Sequence, residues 1–186
     1  MPDISRRQFI AASGVTAASI WFAVEARDLI AAGAHAAQAK RFEVLSEADA
    51  ADIEAAAAQI IPSDGGMPGA REARVVYFMD RSLATFAKDQ RPLFEKGAKE
   101  LRTRAAKKKR GATSFAALSN AEQIAVITDM EKAKDSFFNV LRSSTIVGMF
   151  ANPEYGGNFN KAGWSLLGFN DQFSWSAPFG WYDKNV

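Results

Sequence analysis

The chain has no cysteine and one histidine, His35, among its 186 residues. Without thiols there is no disulfide, thiolate metal site, cysteine-held iron–sulfur cluster or covalently attached c-type haem. Residues 40–186 hold neither His nor Cys. That excludes from this stretch the Ser-His-Asp and Cys-His nucleophile arrangements, and zinc, copper or haem held by histidine. Neither GxGxxG nor GxxxxGK[ST] occurs, so no glycine-rich phosphate cradle is expected. The net charge of +2 is too small to point to a nucleic-acid partner. Paired carboxylates remain available for acid–base chemistry, but no motif singles out a pair.

What is present begins at the N-terminus. MPDISRRQFIAASGVTAASIWFAV carries Arg6 and Arg7 ahead of an uncharged run from Phe9 to Val24. The run is slightly longer than the roughly 7–15 apolar residues of an ordinary signal core. It is shorter than the roughly 18 that suggest a membrane span, and Ser13, Gly14, Thr16 and Ser19 dilute it. Ala34-His35-Ala36 and Ala37-Gln38-Ala39 both fit a small-x-small cleavage signature, and cleavage is expected after Ala39, before Lys40. Glu25, Arg27 and Asp28 separate the run from that point, so cleavage after Ala23 or an uncleaved anchor stays open. Ser5-Arg6-Arg7-Gln8-Phe9-Ile10 resembles the bacterial twin-arginine export signal, with Ala11 in place of its lysine. That resemblance implies export of an already folded protein to the periplasm by the twin-arginine translocase.

Beyond residue 39 the length suits one domain of about 100–200 residues. Removing residues 1–39 takes away three basic and three acidic residues and leaves the charge balance unchanged. Ser46 is a candidate N-cap, and Ile53, Ala56, Ala57, Ile60 and Ile61 fall at helical spacing until Pro62. SDGGMPG reads as a loop. A second helix is predicted over roughly 70–88, with Val75, Phe78, Met79, Leu83 and Phe86 on its apolar face. Arg71, Arg74 and Arg81 share one side of it and read as a solvated face or, less simply, a partner-facing stripe. Pro92 opens a third helix, which Gly111 stops just after Lys107-Lys108-Lys109-Arg110. That basic cluster reads as a solvated helix end.

Ser119-Asn120-Ala121-Glu122 is a capping box for a helix to about residue 132. In that helix Ile124, Val126, Ile127 and Met130 are apolar. A further helix runs from about 135 to 150, either continuous with the last or kinked near Lys134. No strand alternation and no repeat is evident. The fold class is therefore all-α: a small helical bundle over residues 40–151 with an irregular, aromatic-rich C-terminal extension over 152–186. Residues 164–186 contain Trp164, Phe169, Phe173, Trp175, Phe179, Trp181 and Tyr182. Such aromatics either pack under the bundle or contact a partner.

Three stretches together resemble the gluconate 2-dehydrogenase subunit 3 family. They are the twin-arginine start, IIPSDGGMPGAREARVVYFMDRSL, and ANPEYGGNFNKAGWSLLGF. The matching positions are Ile60 to Asp64, Pro68-Gly69-Ala70, Ala73, Val75, Tyr77 to Asp80, Tyr155-Gly156-Gly157-Asn158, Gly163-Trp164 and Leu167-Gly168-Phe169. Some relatives carry a histidine ahead of the YGGN motif, and this chain does not. The resemblance implies the small subunit of a periplasmic, FAD-dependent sugar or polyol dehydrogenase associated with the inner membrane. FAD would sit in a large flavoprotein subunit of the glucose–methanol–choline type. Some such complexes add a multihaem cytochrome c, with iron–sulfur or haem c groups outside this chain. This chain would bind no cofactor and supply no catalytic residue. It would export and stabilise its partner, contacting it through Tyr155, Gly156, Gly157, Asn158, Trp164, Phe169, Phe173, Trp175 and Trp181. Two rivals stay open: a tethering or binding subunit with an uncleaved N-terminal helix, and an independent carboxylate-based enzyme.

Overall fold

A computed structural model describes residues 42–171. Ser46 opens α1 (Glu47–Ile60) as its N-cap, accepting a hydrogen bond from the Asp49 amide at 3.1 Å. Four further helices form the body: α2 (Val75–Ala84), α3 (Arg91–Lys108), α4 (Asn120–Lys132) and α5 (Ser136–Phe150). A short α6 (Ala162–Leu166) follows 3-10 turns at Pro153–Tyr155 and Phe159–Lys161. No strand occurs among the described residues, only an isolated bridge between Asp64 and Met67. The all-α bundle expected from the sequence is what these residues form.

The first helix lies at the centre and touches α2, α3, α4 and α5. Its sequence explains this. Ala50, Ala55, Ala56 and Ala57 are buried with Ile53, and such small side chains let neighbouring helices approach closely. Phe94, Leu101, Phe115, Met130, Leu141 and Met149 fill the remaining space and are fully buried. Each such side chain contributes roughly 1.5–3 kcal/mol of transfer free energy. Phe94 and Phe137 meet edge to face, with centroids 5.5 Å apart.

A buried carboxylate ties the centre together. Asp52, fully buried on α1, accepts from the Ser114 hydroxyl (2.7 Å), the Ala116 amide (3.0 Å) and Arg102 (3.2 Å). The same guanidinium reaches Asp49 at 2.5 Å. Burial pushes the Asp49 carboxyl up, but the Ser46 hydroxyl and Arg102 outweigh it and hold it below the usual carboxylate value. α1, α3 and the loop before α4 are thereby locked in register.

Several boundaries match expectation. Pro92 lies in the first turn of α3, and the Ser119–Glu122 capping box is complete in both directions. The fourth and fifth helices are separate, because Lys134 turns left-handed (φ 52°) and Asp135 caps α5 through the Phe137 and Phe138 amides. Other expectations need correction. The second helix begins at Val75, not near residue 70, because residues 70–74 form turns that end with Arg74 left-handed. Arg71, Arg74 and Arg81 do not share one side of a helix: only Arg81 lies within α2, while Arg71 and Arg74 are exposed in the turns before it. Arg71 pairs with Glu54, Arg74 lies over a ring, and Arg81 is buried with Glu43 at 3.3 Å. Ile124, one of the four apolar residues named in α4, is exposed.

The SDGGMPG loop is an ordered hairpin. Gly65 and Gly66 both take positive φ, as the centre of a type I′ turn requires, between reciprocal Asp64 and Met67 bonds. Glu72 braces its base by accepting from the Ser63 hydroxyl (2.5 Å) and the Gly69 amide (2.8 Å). Those two donors hold the Glu72 carboxyl below its ordinary value. A depressed folded-state pKa stabilises above the unfolded value of 4.5, and the contribution is lost as pH falls through the folded one. Glu72→Gln is therefore expected to destabilise at neutral pH by more than at pH 3. Urea midpoints at the two pH values check this; an equal loss at both would remove the carboxylate from the account.

Candidate functional site and family

The two family-like stretches meet at the C-terminal end of α5. A helix leaves its last carbonyls without partners inside the helix. Here the chain after α5 folds back and supplies them. The Asn158 amide donates to the Gly148 carbonyl (2.7 Å), and its side-chain amide donates to the Ala151 carbonyl (2.9 Å). The indole N–H of Trp164 donates to the Phe150 carbonyl (2.9 Å). Asn158 Oδ1 also accepts from the Gly163 amide (2.8 Å). Asn158 is fully buried and left-handed (φ 46°), a conformation that asparagine tolerates better than most residues.

Two glycines make the approach feasible. A Cβ on Gly157 would overlap the Gly148 carbonyl, and one on Gly163 would overlap the Met149 carbonyl. The turn therefore does not lead the chain out of the bundle. It turns the chain back onto α5, and Gly157 and Asn158 lie inside the chain's own fold. Tyr155 packs half-buried against the core, and Gly156 (φ 97°) closes the turn before them.

The second stretch arrives from the start of α2. The Phe159 amide donates to the Ala73 carbonyl (3.1 Å), and the Arg74 guanidinium lies 3.6 Å over the Phe159 ring. Of the five non-glycine residues with positive φ among those described, four belong to this junction: Arg74 over the ring, and Asn158, Asn160 and Lys161 next to Phe159 in sequence. No local pattern in the sequence links Arg74 or Ala73 to the YGGN turn. The only signal was that both stretches carried the family-like positions.

Past Trp164 the surface becomes apolar. Trp164 meets Phe169 edge to face at 5.2 Å, and Leu167 (57%) and Phe169 (40%) are among the most exposed large hydrophobic residues described. Ser5, Arg6, Arg7, Phe9, Ile10, Ala37, Ala39, Lys40, Phe173, Trp175 and Trp181 lie outside the described residues. Among those described, no group of three potential metal-ligating His, Cys, Asp or Glu residues forms, and no helix is long and apolar enough to cross a membrane.

A second anchor was not foreseen. Asp80 on α2, nearly buried, accepts three successive amides: Glu43 (2.7 Å), Val44 (2.9 Å) and Leu45 (2.8 Å). Phe42 stacks on Tyr77 at 5.0 Å beside it. The chain entering α1 is thus fixed to the bundle from the first described residue.

These features define a small helical body whose final turns cap its last long helix and leave an apolar edge exposed. The chain belongs to the gluconate 2-dehydrogenase subunit 3 family, whose sequence profile matches residues 47–171. Membership implies association with other subunits of a dehydrogenase complex. No curated protein and no solved structure gives a significant match.

Proposed function

We propose that this chain is the non-catalytic small subunit of a periplasmic, FAD-dependent sugar or polyol dehydrogenase. In this reading it escorts the catalytic flavoprotein of the glucose–methanol–choline type through the twin-arginine translocase and stabilises it afterwards. The observation that carries the proposal is the family match, which includes both the proline-glycine stretch and the YGGN…GW stretch. The Ser5-Arg6-Arg7-Gln8-Phe9 start and the lack of His and Cys in residues 40–186 support it. FAD is assigned to the partner, as the family resemblance implies. A multihaem cytochrome c is a further partner in this reading, and the complex as a whole would associate with the inner membrane.

The contact surface proposed for the flavoprotein is the edge formed by Trp164, Leu167 and Phe169, continued by Phe173, Trp175 and Trp181. Aromatic residues dominate the energetics of protein interfaces, and an apolar edge on a small bundle is consistent with such a use. Tyr155, Gly156, Gly157 and Asn158 support that edge from within.

The test is dye-linked sugar dehydrogenase activity in the periplasm of cells that co-express both subunits, with Arg6 and Arg7 changed to lysine. Activity confined to the cytoplasm is the expected result. Undiminished periplasmic activity would mean that the flavoprotein has its own route and that this chain is not its escort. Intact-mass measurement of the assembled subunit addresses the tether: a start near Lys40 supports a released subunit, and retention of Met1 a membrane-held one.

A further inference from the structure

The basic cluster at the end of α3 is not accounted for by the packing of the bundle or by the apolar edge. Lys107, Lys108, Lys109 and Arg110 are all exposed. None of them takes part in any of the ion pairs among the described residues, which engage Arg71, Arg81, Arg102, Arg104 and Lys161 instead. The helix dipole explains one or two cations at a helix C-terminus, since the effect fades within a turn. It does not explain four in succession, the last two of them beyond the helix end at Lys108. Gly111 (φ 85°) then turns the chain, with open space where a Cβ would lie. Glu122, whose carboxylate feels Lys108 and Lys109, is engaged by the Ser119 hydroxyl and amide at 2.8 Å each and forms no ion pair with the cluster.

We propose that Lys107–Arg110 form an electrostatic contact for an anionic phospholipid surface, laying this end of the bundle against a membrane.

The composition favours a bilayer over the other anionic partners. Three of the four cations are lysines, which act as mobile point charges rather than as forks that fit one carboxylate or phosphate. Protein interfaces are depleted of lysine at their cores and rely on buried aromatic or arginine anchors. No aromatic residue lies in the sequence between Lys107 and Ser114. A nucleic-acid groove would need stacking aromatics or a basic stripe across the fold, whereas this charge is confined to one helix end in a chain of net charge only +2. A cluster of four or more Lys and Arg residues beside a membrane is the known pattern for attraction to anionic lipid.

The inference is independent of the escort reading, because its readout needs no flavoprotein and no activity. The purified full chain is sedimented with vesicles of phosphatidylcholine alone or mixed with phosphatidylglycerol. The wild type is compared with a variant in which Lys107, Lys108, Lys109 and Arg110 are all glutamine. Each cation near such a surface is worth about fivefold in partitioning. The quadruple variant should therefore bind phosphatidylglycerol vesicles about two orders of magnitude or more weakly. Both forms carry the same N-terminal arginines, so that contribution cancels in the comparison. A variant with the three lysines changed to arginine should keep binding, and high salt should abolish the difference between wild type and the glutamine variant. Thermal melts confirm that the variants fold; the four side chains are exposed, so little change is expected. Equal binding by wild type and the glutamine variant would overturn the proposal. So would an unaltered lipid affinity with lost co-purification of another subunit, which would make the cluster a protein contact.

Discussion

Asn158→Ala is expected to destabilise the chain by about 3–5 kcal/mol, since the substitution strands buried groups and leaves alanine left-handed. The Ala151 carbonyl and the Gly163 amide both lose their partner. Neither gains water easily, because the site is closed by Gly157 against α5. Each unsatisfied buried group costs about 1–3 kcal/mol, and the positive φ adds roughly 1 kcal/mol for a residue with a Cβ and no side-chain amide. Asn158→Asp separates the two ends of the side chain. It keeps the acceptor for Gly163 but places an oxygen against the Ala151 carbonyl, so it should fall no nearer to wild type than Asn158→Ala. Asn158→Gly removes the same bonds and relieves the backbone, so it should recover about 1 kcal/mol relative to alanine. Urea unfolding of the three variants gives the order. A loss below about 1 kcal/mol for Asn158→Ala, within the range of a single ordinary hydrogen bond, would show that the turn does not depend on this side chain.

The turn also shows which features could be read from the sequence and which could not. Helix ends set by local chemistry were legible: Ser46, Pro62, Pro92, the Ser119–Glu122 box and Gly111 each act through neighbours a few residues away. What failed was non-local. The start of α2 is delayed to Val75 because Ala70 donates back to the Ile61 carbonyl and the Ala73 carbonyl is taken by Phe159. No periodicity contains that. Arg81 looked like one member of a charged row, yet it is buried at the chain entry beside Glu43. Ile124 sits among apolar residues, but Val126, Ile127 and Met130 define the buried face and leave it outside. The YGGN residues were picked out as important by their resemblance and their glycines. Their action, as caps for α5, depends on carbonyls up to ten residues upstream in sequence and adjacent only in space.

Asp80→Ala is expected to release the chain ahead of α1 as well as destabilise the fold. Asp80 sits between Met79 and Leu83 on the buried face of α2, where a carboxylate needs donors. It finds three consecutive amides, and hydrogen bonds to a charged group contribute about 1.5–3 kcal/mol each before the ordering of the segment is offset. A net loss of about 3 kcal/mol is therefore reasonable, with part of the effect appearing as local opening rather than global unfolding. Hydrogen exchange distinguishes the two. The amides of Glu43, Val44 and Leu45 should exchange far faster in the variant, while those in α3 and α5 should follow only the change in global stability. Asp80→Asn retains the shape but has one acceptor oxygen in place of two, so it should protect these amides only in part. The clamp begins just past the predicted cleavage position before Lys40, so the same variant should be nicked by added protease near Phe42 while the bundle stays intact. Unchanged exchange at residues 43–45 would mean that Phe42 on Tyr77 and the packing of Leu45 hold the segment without the carboxylate.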